Sequence, residues 1–203
     1  ICGRMHLAWG DRNHGFETRL CGDRYPTIKN HFEYWDQPTV PRANLVKLIN
    51  TAGPGSARHD AEDAITEGHA LKFFHEHHHQ GTRPFALCVG FYRPHTPFCA
   101  PVEHLKLFDD LTLDFNDPAT PIPEVYHSLL YHYGLVDAPP SKEAMLRAAK
   151  AYYAMVYGLD QRIGKICQVL EEKGLWDNTI VIYTSDHGET LGRHGLWFKS
   201  NFY

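Results

Sequence analysis

The sequence predicts an α/β fold, in which helices connect parallel strands. Two apolar runs, residues 84–91 and 179–184, have the length and composition of buried strands. Between them, apolar residues recur three or four positions apart over 141–174, which predicts one long helix. This helix leads through residues 174–177 directly into the second apolar run, as a helix-to-strand return does in a parallel sheet.

The composition indicates a globular protein and excludes several functional classes. Apolar residues make up 43% of the 203 residues and charged residues 22%, which argues against disorder. The net charge of -4 gives no reason to expect nucleic acid or an anionic membrane as a partner. No apolar run approaches the roughly 18 residues needed to span a bilayer.

The five cysteines are odd in number and show no C-x-x-C spacing. We therefore predict no disulfide framework, and the cysteines leave the redox compartment open.

The first segment carries two polar side chains that suit an anionic ligand. Arg4 and His6 lie two positions apart, so on an extended chain they face the same side. A guanidinium and an imidazole together could hold an anionic ester. The alternative is an edge strand with two solvated polar groups.

Residues 60–80 are predicted to form a helix with Asp60 as its cap. The helix ends in His75, Glu76 and His79, which match the H-E-x-x-H pattern of zinc peptidases. Because the segment is rich in histidine and Gly81 follows directly, an exposed histidine cluster at a helix end is the competing interpretation.

The apolar run 84–91 is followed by Pro94, His95 and Pro97. The two prolines restrict the backbone and hold His95 at the carboxyl end of the predicted strand. There His95 could donate a proton to a leaving-group oxygen. A purely structural histidine in a proline-containing loop remains the alternative.

Residues 109–140 are predicted to be a loop, and the long helix that follows is predicted to begin at Ser141 and end at Gly174. Its apolar positions form one core-facing stripe, so the helix is interpreted as scaffold.

The strand predicted at 179–184 is followed at once by Asp186 and His187. Because ligands bind at the carboxyl ends of strands in α/β sheets, this carboxylate and imidazole are candidate metal ligands. Lys199 follows in an aromatic segment, where its charge could meet an anion. The alternative is a Ser-Asp helix cap beside a solvated histidine.

The longer string around these residues resembles the sulfatase family of the alkaline-phosphatase-like superfamily. The nearest similarity is to choline sulfatases, phosphonate monoester hydrolases and iduronate sulfatases. The matching positions are Ser185-Asp186-His187-Gly188, Leu191-Gly192, His194-Gly195, Trp197 and Lys199.

The resemblance implies a role for each candidate residue. Asp186 and His187 would bind a divalent metal, and Lys199 would contact the sulfate. Gly3-Arg4-Met5-His6 matches the family's GKxH element, whose lysine and histidine reach the ester and the nucleophile. Arg4, in place of that lysine, would bind the sulfate, and His6 would be catalytic. His95 matches an active-site histidine in (R/K)-P-H-x-P-F and would be catalytic as well.

The implied fold is an alkaline-phosphatase-like mixed central sheet flanked by helices, with residues 1–203 as the central part of the catalytic domain. The implied reaction is hydrolysis of a small-molecule or sugar sulfate ester with a divalent metal, Ca²⁺ before Mg²⁺ or Mn²⁺. The implied nucleophile is a formylglycine upstream of this chain. Cys99-Ala100-Pro101 does not supply it, because Val102 and Glu103 stand where the family motif has Ser-Arg.

Two alternatives stay open besides the zinc peptidase. One is a phosphonate or phosphate ester hydrolase of the same superfamily. The other is a non-catalytic fragment that keeps the sulfatase scaffold.

Overall fold

The computed structural model describes residues 1–7, 13–22, 45–76, 84–115, 122–199 and 201. The chain divides into two compact units. The first comprises Ile1–Val40, Ala57–His95 and Gly158–Ile180, and the second comprises Pro41–Ser56, Thr96–Tyr157 and Val181–Tyr203.

The described residues form a mixed α/β structure with short strands. In chain order the strands are β1 (Cys2–Gly3), β2 (Gly53–Pro54), β3 (Val89–Gly90) and β4 (Cys99–Ala100). The helices are α1 (Val46–Asn50), α2 (Arg58–Glu76), α3 (Val102–Leu105), α4 (His127–Tyr133) and α5 (Lys142–Glu172). Short 3₁₀ turns cover Lys106–Phe108, Glu124–Tyr126, Trp176–Asn178 and Arg193–Gly195.

The strands pair in parallel, as the sequence predicts. In the first unit β1 pairs with β3, with Cys2 opposite Val89. In the second unit β2 pairs with β4, with Gly53 opposite Cys99. Within the described residues these are two separate two-stranded sheets, so the α/β class is confirmed while the predicted central mixed sheet is not seen there.

The two predicted buried strands differ from the structure. Of residues 84–91 only β3 is paired, and most of 84–88 is exposed. The prediction of a buried strand at 179–184 is wrong, since Ile180 is 89% exposed, Ile182 82% and Tyr183 73%. An apolar strand is buried only when neighbouring strands or helices cover its faces. No described residue pairs with this run in a sheet.

The long helix is confirmed almost to the residue. The Ser141 hydroxyl accepts a hydrogen bond from the Ala144 amide at 3.1 Å, which caps the start of α5. Gly174 ends the helix at φ 65°, a left-handed conformation that glycine adopts without a Cβ penalty. Ala148 and Met155 pack in the core of the second unit, and Leu170 packs against Phe74 in the first.

Two other elements refine the predicted layout. The helix α2 begins at Arg58, just before the predicted start at residue 60. The prediction of a loop throughout 109–140 is wrong, because α4 lies inside it. Leu130 and Tyr133 are buried on one face of α4, so tertiary packing stabilises a helix of only two turns.

Among the helices that the structure describes, none is both long and apolar enough to traverse a lipid bilayer.

Candidate functional site

The first unit brings Arg4 and His6 into direct contact. Arg4 Nε donates to His6 Nε2 at 3.0 Å, and the guanidinium carbon lies 4.7 Å from the centre of the Tyr92 ring. Because Nε2 accepts this hydrogen bond, the proton of the neutral His6 imidazole resides on Nδ1. The Arg4 guanidinium thus makes a cation–π contact with the Tyr92 ring, and Arg4 stays partly exposed to solvent.

Gly3 makes this arrangement possible. It has φ +84°, and a Cβ at this position would lie 2.0 Å from the Gly90 carbonyl oxygen. The Arg4 amide donates to the same oxygen at 2.8 Å. The chain therefore leaves β1 in a path that only glycine allows, and this path places Arg4.

His95 lies in the same unit and is linked to this group through aromatic rings. Its amide donates to the Tyr92 carbonyl at 2.9 Å. Its ring meets the buried His59 ring edge-on at 5.3 Å, and His59 stacks on Tyr92 at 4.9 Å. Arg4, Tyr92, His59 and His95 thus form one connected series.

Two carboxylates of α2 hold the loop that carries His95. Asp63 is fully buried and accepts the amides of Tyr92 at 2.7 Å and Arg93 at 3.0 Å. Asp60 receives two hydrogen bonds from the Arg93 guanidinium, at 2.6 and 2.7 Å. Arg93 Nη1 also donates to the His95 carbonyl at 3.3 Å, so the ion pair extends to the candidate proton donor.

The pKa values of the two carboxylates are shifted in opposite directions. At Asp60 burial opposes ionisation, but hydrogen bonds from Arg93 and the Ala57 amide outweigh it and lower the pKa. At Asp63 burial dominates and raises the pKa, despite the two amide hydrogen bonds.

The positioning roles of Asp60 and Asp63 were not predicted, since Asp60 was assigned only as a cap. A signal existed, because residues three apart on a helix share a face. When two carboxylates lie on the same helix face and that face packs against the protein, each needs a hydrogen-bond donor or a positive charge as a partner. Arg93 is the positively charged partner of Asp60.

The second unit holds Asp186 and His187 side by side. The His187 amide donates to Asp186 Oδ1 at 3.0 Å, and His187 Nε2 lies 3.5 Å from Asp186 Oδ2. His187 Nδ1 donates to the Gly188 carbonyl at 2.8 Å, which leaves the Nε2 lone pair for a metal or a proton. Both residues are exposed.

Glu189 fixes the segment between this turn and Lys199. Its carboxylate accepts the amides of Leu191 and Phe198, and burial raises its pKa. The Thr190 hydroxyl donates to the Phe198 carbonyl at 2.8 Å, which closes the loop. Lys199 follows the closed loop and is exposed. Sequence reasoning had assigned no role to Glu189.

The geometry is suited to part of a metal site. An adjacent carboxylate and imidazole with a free Nε2 lone pair suit a divalent cation. Within residues 1–7, 13–22, 45–76, 84–115, 122–199 and 201, no group of three or more His, Cys, Asp and Glu side chains is arranged to hold a metal ion. Asp186 and His187 stay candidate ligands.

The six predicted site residues fall into two groups by unit. Arg4, His6 and His95 belong to the first unit, and Asp186, His187 and Lys199 belong to the second. Their convergence on one cleft stays a prediction. His79 of the zinc peptidase alternative lies outside the described residues.

A family model described as Sulfatase matches residues 1–202, which is nearly the whole chain. The chain belongs to the sulfatase family. The Asp186-His187 turn and the Gly3-to-His6 segment both lie within the matched range.

Individual sulfatases show the extent of the similarity. The chain is 27% identical to a choline-sulfatase of Rhizobium meliloti, covering 100% of the chain and 42% of the relative. It is 34% identical to iduronate 2-sulfatase of Mus musculus, over 59% of the chain and 24% of that protein. It is 30% identical to the multifunctional alkaline phosphatase superfamily protein PehA of Trinickia caryophylli, over 59% of the chain and 26% of the relative. The chain thus spans less than half the length of these relatives.

Proposed function

We propose that the protein containing this chain hydrolyses sulfate monoesters of small molecules or sugars, and that this chain forms the central part of its alkaline-phosphatase-like catalytic domain. The observation that carries the proposal is the paired Asp186 carboxylate and His187 imidazole in a chain that matches the sulfatase family almost throughout.

Asp186 and His187 would hold the divalent cation, with Ca²⁺ as the first candidate and Mg²⁺ or Mn²⁺ as others. Such a cation, when bound, neutralises charge on the non-bridging oxygens of the ester. His187 is ready for this role because its Nδ1 proton is engaged by the Gly188 carbonyl. We propose that further ligands and the formylglycine nucleophile come from parts of the protein outside this chain.

Arg4 and Lys199 would bind the anionic head of the ester. Arg4 is preorganised by the Tyr92 ring and by His6, so little side-chain entropy is lost on binding. Lys199 extends from a loop whose backbone Glu189 holds in place.

His95 and His6 would handle protons. His95 lies on a loop fixed by Asp60 and Asp63, so its ring has a defined place from which to donate to the leaving oxygen. The His6 ring is oriented for this role by the hydrogen bond that its Nε2 accepts from Arg4 Nε.

The main test uses the full-length protein with an aryl sulfate and added Ca²⁺. Asp186→Asn is expected to reduce kcat/KM by about a thousandfold, since a metal ligand contributes several kcal/mol to transition-state stabilisation. Calcium affinity, measured by calorimetry, should fall in the same variant. Asp160→Asn, at an exposed position on α5, is the matched control. An Asp186→Asn enzyme with full activity and unchanged calcium affinity would refute the proposal.

A second test uses the 203-residue chain alone, which we expect to hydrolyse aryl sulfates negligibly. Removal of a nucleophile leaves only the part of catalysis that binding and electrostatics provide. Robust turnover by this chain would show that the nucleophile lies within it.

A phosphonate or phosphate ester is the second candidate substrate. The similarity to PehA, whose name places it in the alkaline phosphatase superfamily, favours it. Arg4 favours it as well, because a planar guanidinium binds phosphoryl oxygens in a bidentate manner. Comparing kcat/KM for aryl sulfate, phosphate monoester and phosphonate monoester in one preparation separates the candidates.

A further inference from the structure

Cys2 of β1 and Cys21 lie on neighbouring segments of the first unit. The Leu20 amide donates to the Ile1 carbonyl at 2.8 Å, so the segment ending at Cys21 runs alongside the start of the chain. One residue further, the Gly3 amide donates to Cys21 Sγ at 3.2 Å. Because the Gly3 amide nitrogen is bonded to the carbonyl carbon of Cys2, this hydrogen bond places Cys21 Sγ beside the backbone of Cys2.

This spacing is compatible with a covalent bond. Disulfides join cysteines whose Cα atoms lie about 4.4–6.8 Å apart, and the hydrogen bonds from Leu20 to Ile1 and from Gly3 to Cys21 hold the two backbones in contact. Cys2 is fully buried, whereas Cys21 is only half-buried and so accessible to a small reagent.

The surroundings of Cys21 favour its thiolate. The hydrogen bond from Cys2 lowers the pKa of Cys21 to about 6, with help from the Gly3 amide, the Thr66 hydroxyl and His69, while burial acts in the opposite direction. The same hydrogen bond and burial raise the pKa of Cys2. Cys21 is therefore the nucleophile of the pair, and Cys2 is its proton-bearing partner.

We propose that Cys2 and Cys21 form a reversible disulfide when the protein meets a low-molecular-weight disulfide, which makes this pair a redox modification site. The site is independent of the hydrolase activity proposed above.

The chemistry balances in two exchange steps. The Cys21 thiolate attacks one sulfur of the small disulfide, forms a mixed disulfide and releases one thiolate. Cys2 then gives up its proton and attacks Cys21 Sγ, which expels the second small thiolate, and this thiolate takes up the proton. Once Cys21 is capped, its negative charge no longer holds the Cys2 proton. In total, two cysteines are oxidised and one small disulfide is reduced to two thiols.

Cys88 is the other cysteine near Cys2 that could form a disulfide with it, but its thiol makes a different contact. Its Sγ donates to Met5 Sδ at 3.7 Å. Cys2 Sγ approaches the Cys88 carbonyl oxygen, at 3.9 Å, rather than the Cys88 sulfur. The geometry therefore selects Cys21 as the partner of Cys2.

The test maps disulfides in the folded full-length protein after exposure to oxidised glutathione. Free thiols are alkylated before unreduced trypsin digestion. We expect the peptide ending at Arg4 to be joined to peptide 20–24, with a mass two hydrogens below the sum, and Cys88 to be alkylated. Dithiothreitol should separate the two peptides. A stable glutathione adduct on Cys21, a Cys2–Cys88 link, or full alkylation of both cysteines would overturn the proposal.

Variants and kinetics complete the test. Cys21→Ser should abolish the cross-linked peptide, while Cys167→Ser, on α5, should leave it unchanged. In the wild-type protein, alkylation of Cys21 relative to N-acetylcysteine should fall by about fiftyfold from pH 6.5 to pH 9, because Cys21 is already ionised at the lower pH and an ordinary thiol is not. A ratio that stays constant over this range would contradict the assignment of Cys21 as the nucleophile, even if a variant failed to fold.

Discussion

The loop at residues 92–95 and the turn at 185–188 both carry candidate catalytic groups, yet they are held in different ways. The loop is anchored by long-range contacts, since Asp63 of α2 binds the Tyr92 and Arg93 amides in a buried position. The turn is held by contacts within two residues, and the Asp186 side chain is 79% exposed. A group fixed by distant partners is preorganised by folding itself. A group held mainly by its sequence neighbours stays conformationally mobile until a ligand binds.

This difference predicts that stability and activity will separate between the two regions. Substitutions that release the loop should destabilise the fold, because they leave buried donors without partners. Substitutions in the turn should leave the fold intact while abolishing its binding chemistry.

The largest effect is expected for Asp63→Ala, which leaves the amides of Tyr92 and Arg93 buried without an acceptor. The free energy of unfolding should fall by about 3 kcal/mol, at roughly 1–3 kcal/mol for each unsatisfied group. Urea denaturation followed by circular dichroism measures it. Asp160→Ala, an exposed carboxylate on α5, is the control. If both variants lost the same small amount, the loop would not depend on Asp63.

Next in size is the effect of Arg4 on catalysis in the full-length protein. Arg4→Ala should lower kcat/KM about tenfold to hundredfold, as expected for one charge-assisted contact of roughly 1.5–3 kcal/mol. Arg4→Lys should keep substantial activity, since lysine occupies this position in the family pattern that the sequence resembles. Lys199→Ala should show a loss similar to Arg4→Ala without unfolding. Arg4→Ala activity within twofold of wild type would show that this side chain does not touch the ester.

A smaller effect, dependent on pH, is expected for Asp60→Asn. Folding lowers the Asp60 pKa, so the ionised carboxylate stabilises the fold above its unfolded pKa of about 4, and this contribution disappears as the pH falls through the folded-state pKa. The variant should be less stable by about 1.5 kcal/mol at pH 7, and the difference should shrink as the pH falls below about 4.

The comparison of the two proteins at each pH cancels the opposite titration of Asp63, whose pKa is raised by burial. Urea midpoints at pH 7, 5, 4 and 3 provide the measurement. A stability difference that stays constant with pH would rule out the charged Asp60–Arg93 pair as its source.

The smallest effect on stability is expected at Asp186, the position whose substitution should reduce activity most. Asp186→Ala should change the free energy of unfolding by less than about 0.5 kcal/mol, because its carboxylate is largely exposed and, among the described residues, makes its contacts with His187. The measurement is metal-free urea denaturation beside Asp63→Ala. A loss as large as that of Asp63→Ala would remove the distinction between a preorganised loop and a locally held turn.

The sequence by itself determined the elements whose signals are local. The boundaries of α5 follow from Ser141, Gly174 and the apolar spacing between them, and helix periodicity does not depend on distant partners. The sulfatase assignment also follows from local strings, since the segments around Arg4, His95 and Asp186 resemble the family's motifs and a family model matches residues 1–202.

Tertiary structure decided what depends on residues far apart in the chain. The run at 179–184 has the composition of a buried strand, yet burial requires covering neighbours, and composition cannot reveal whether they are present. Asp63 became the anchor of the His95 loop only because α2 packs beside it. Cys2 and Cys21 show no pairing signal in sequence, and only the backbone hydrogen bonds beside β1 bring their thiols together. Hydrogen bonds and burial act at contact distance, so such pairings arise only when the chain has folded.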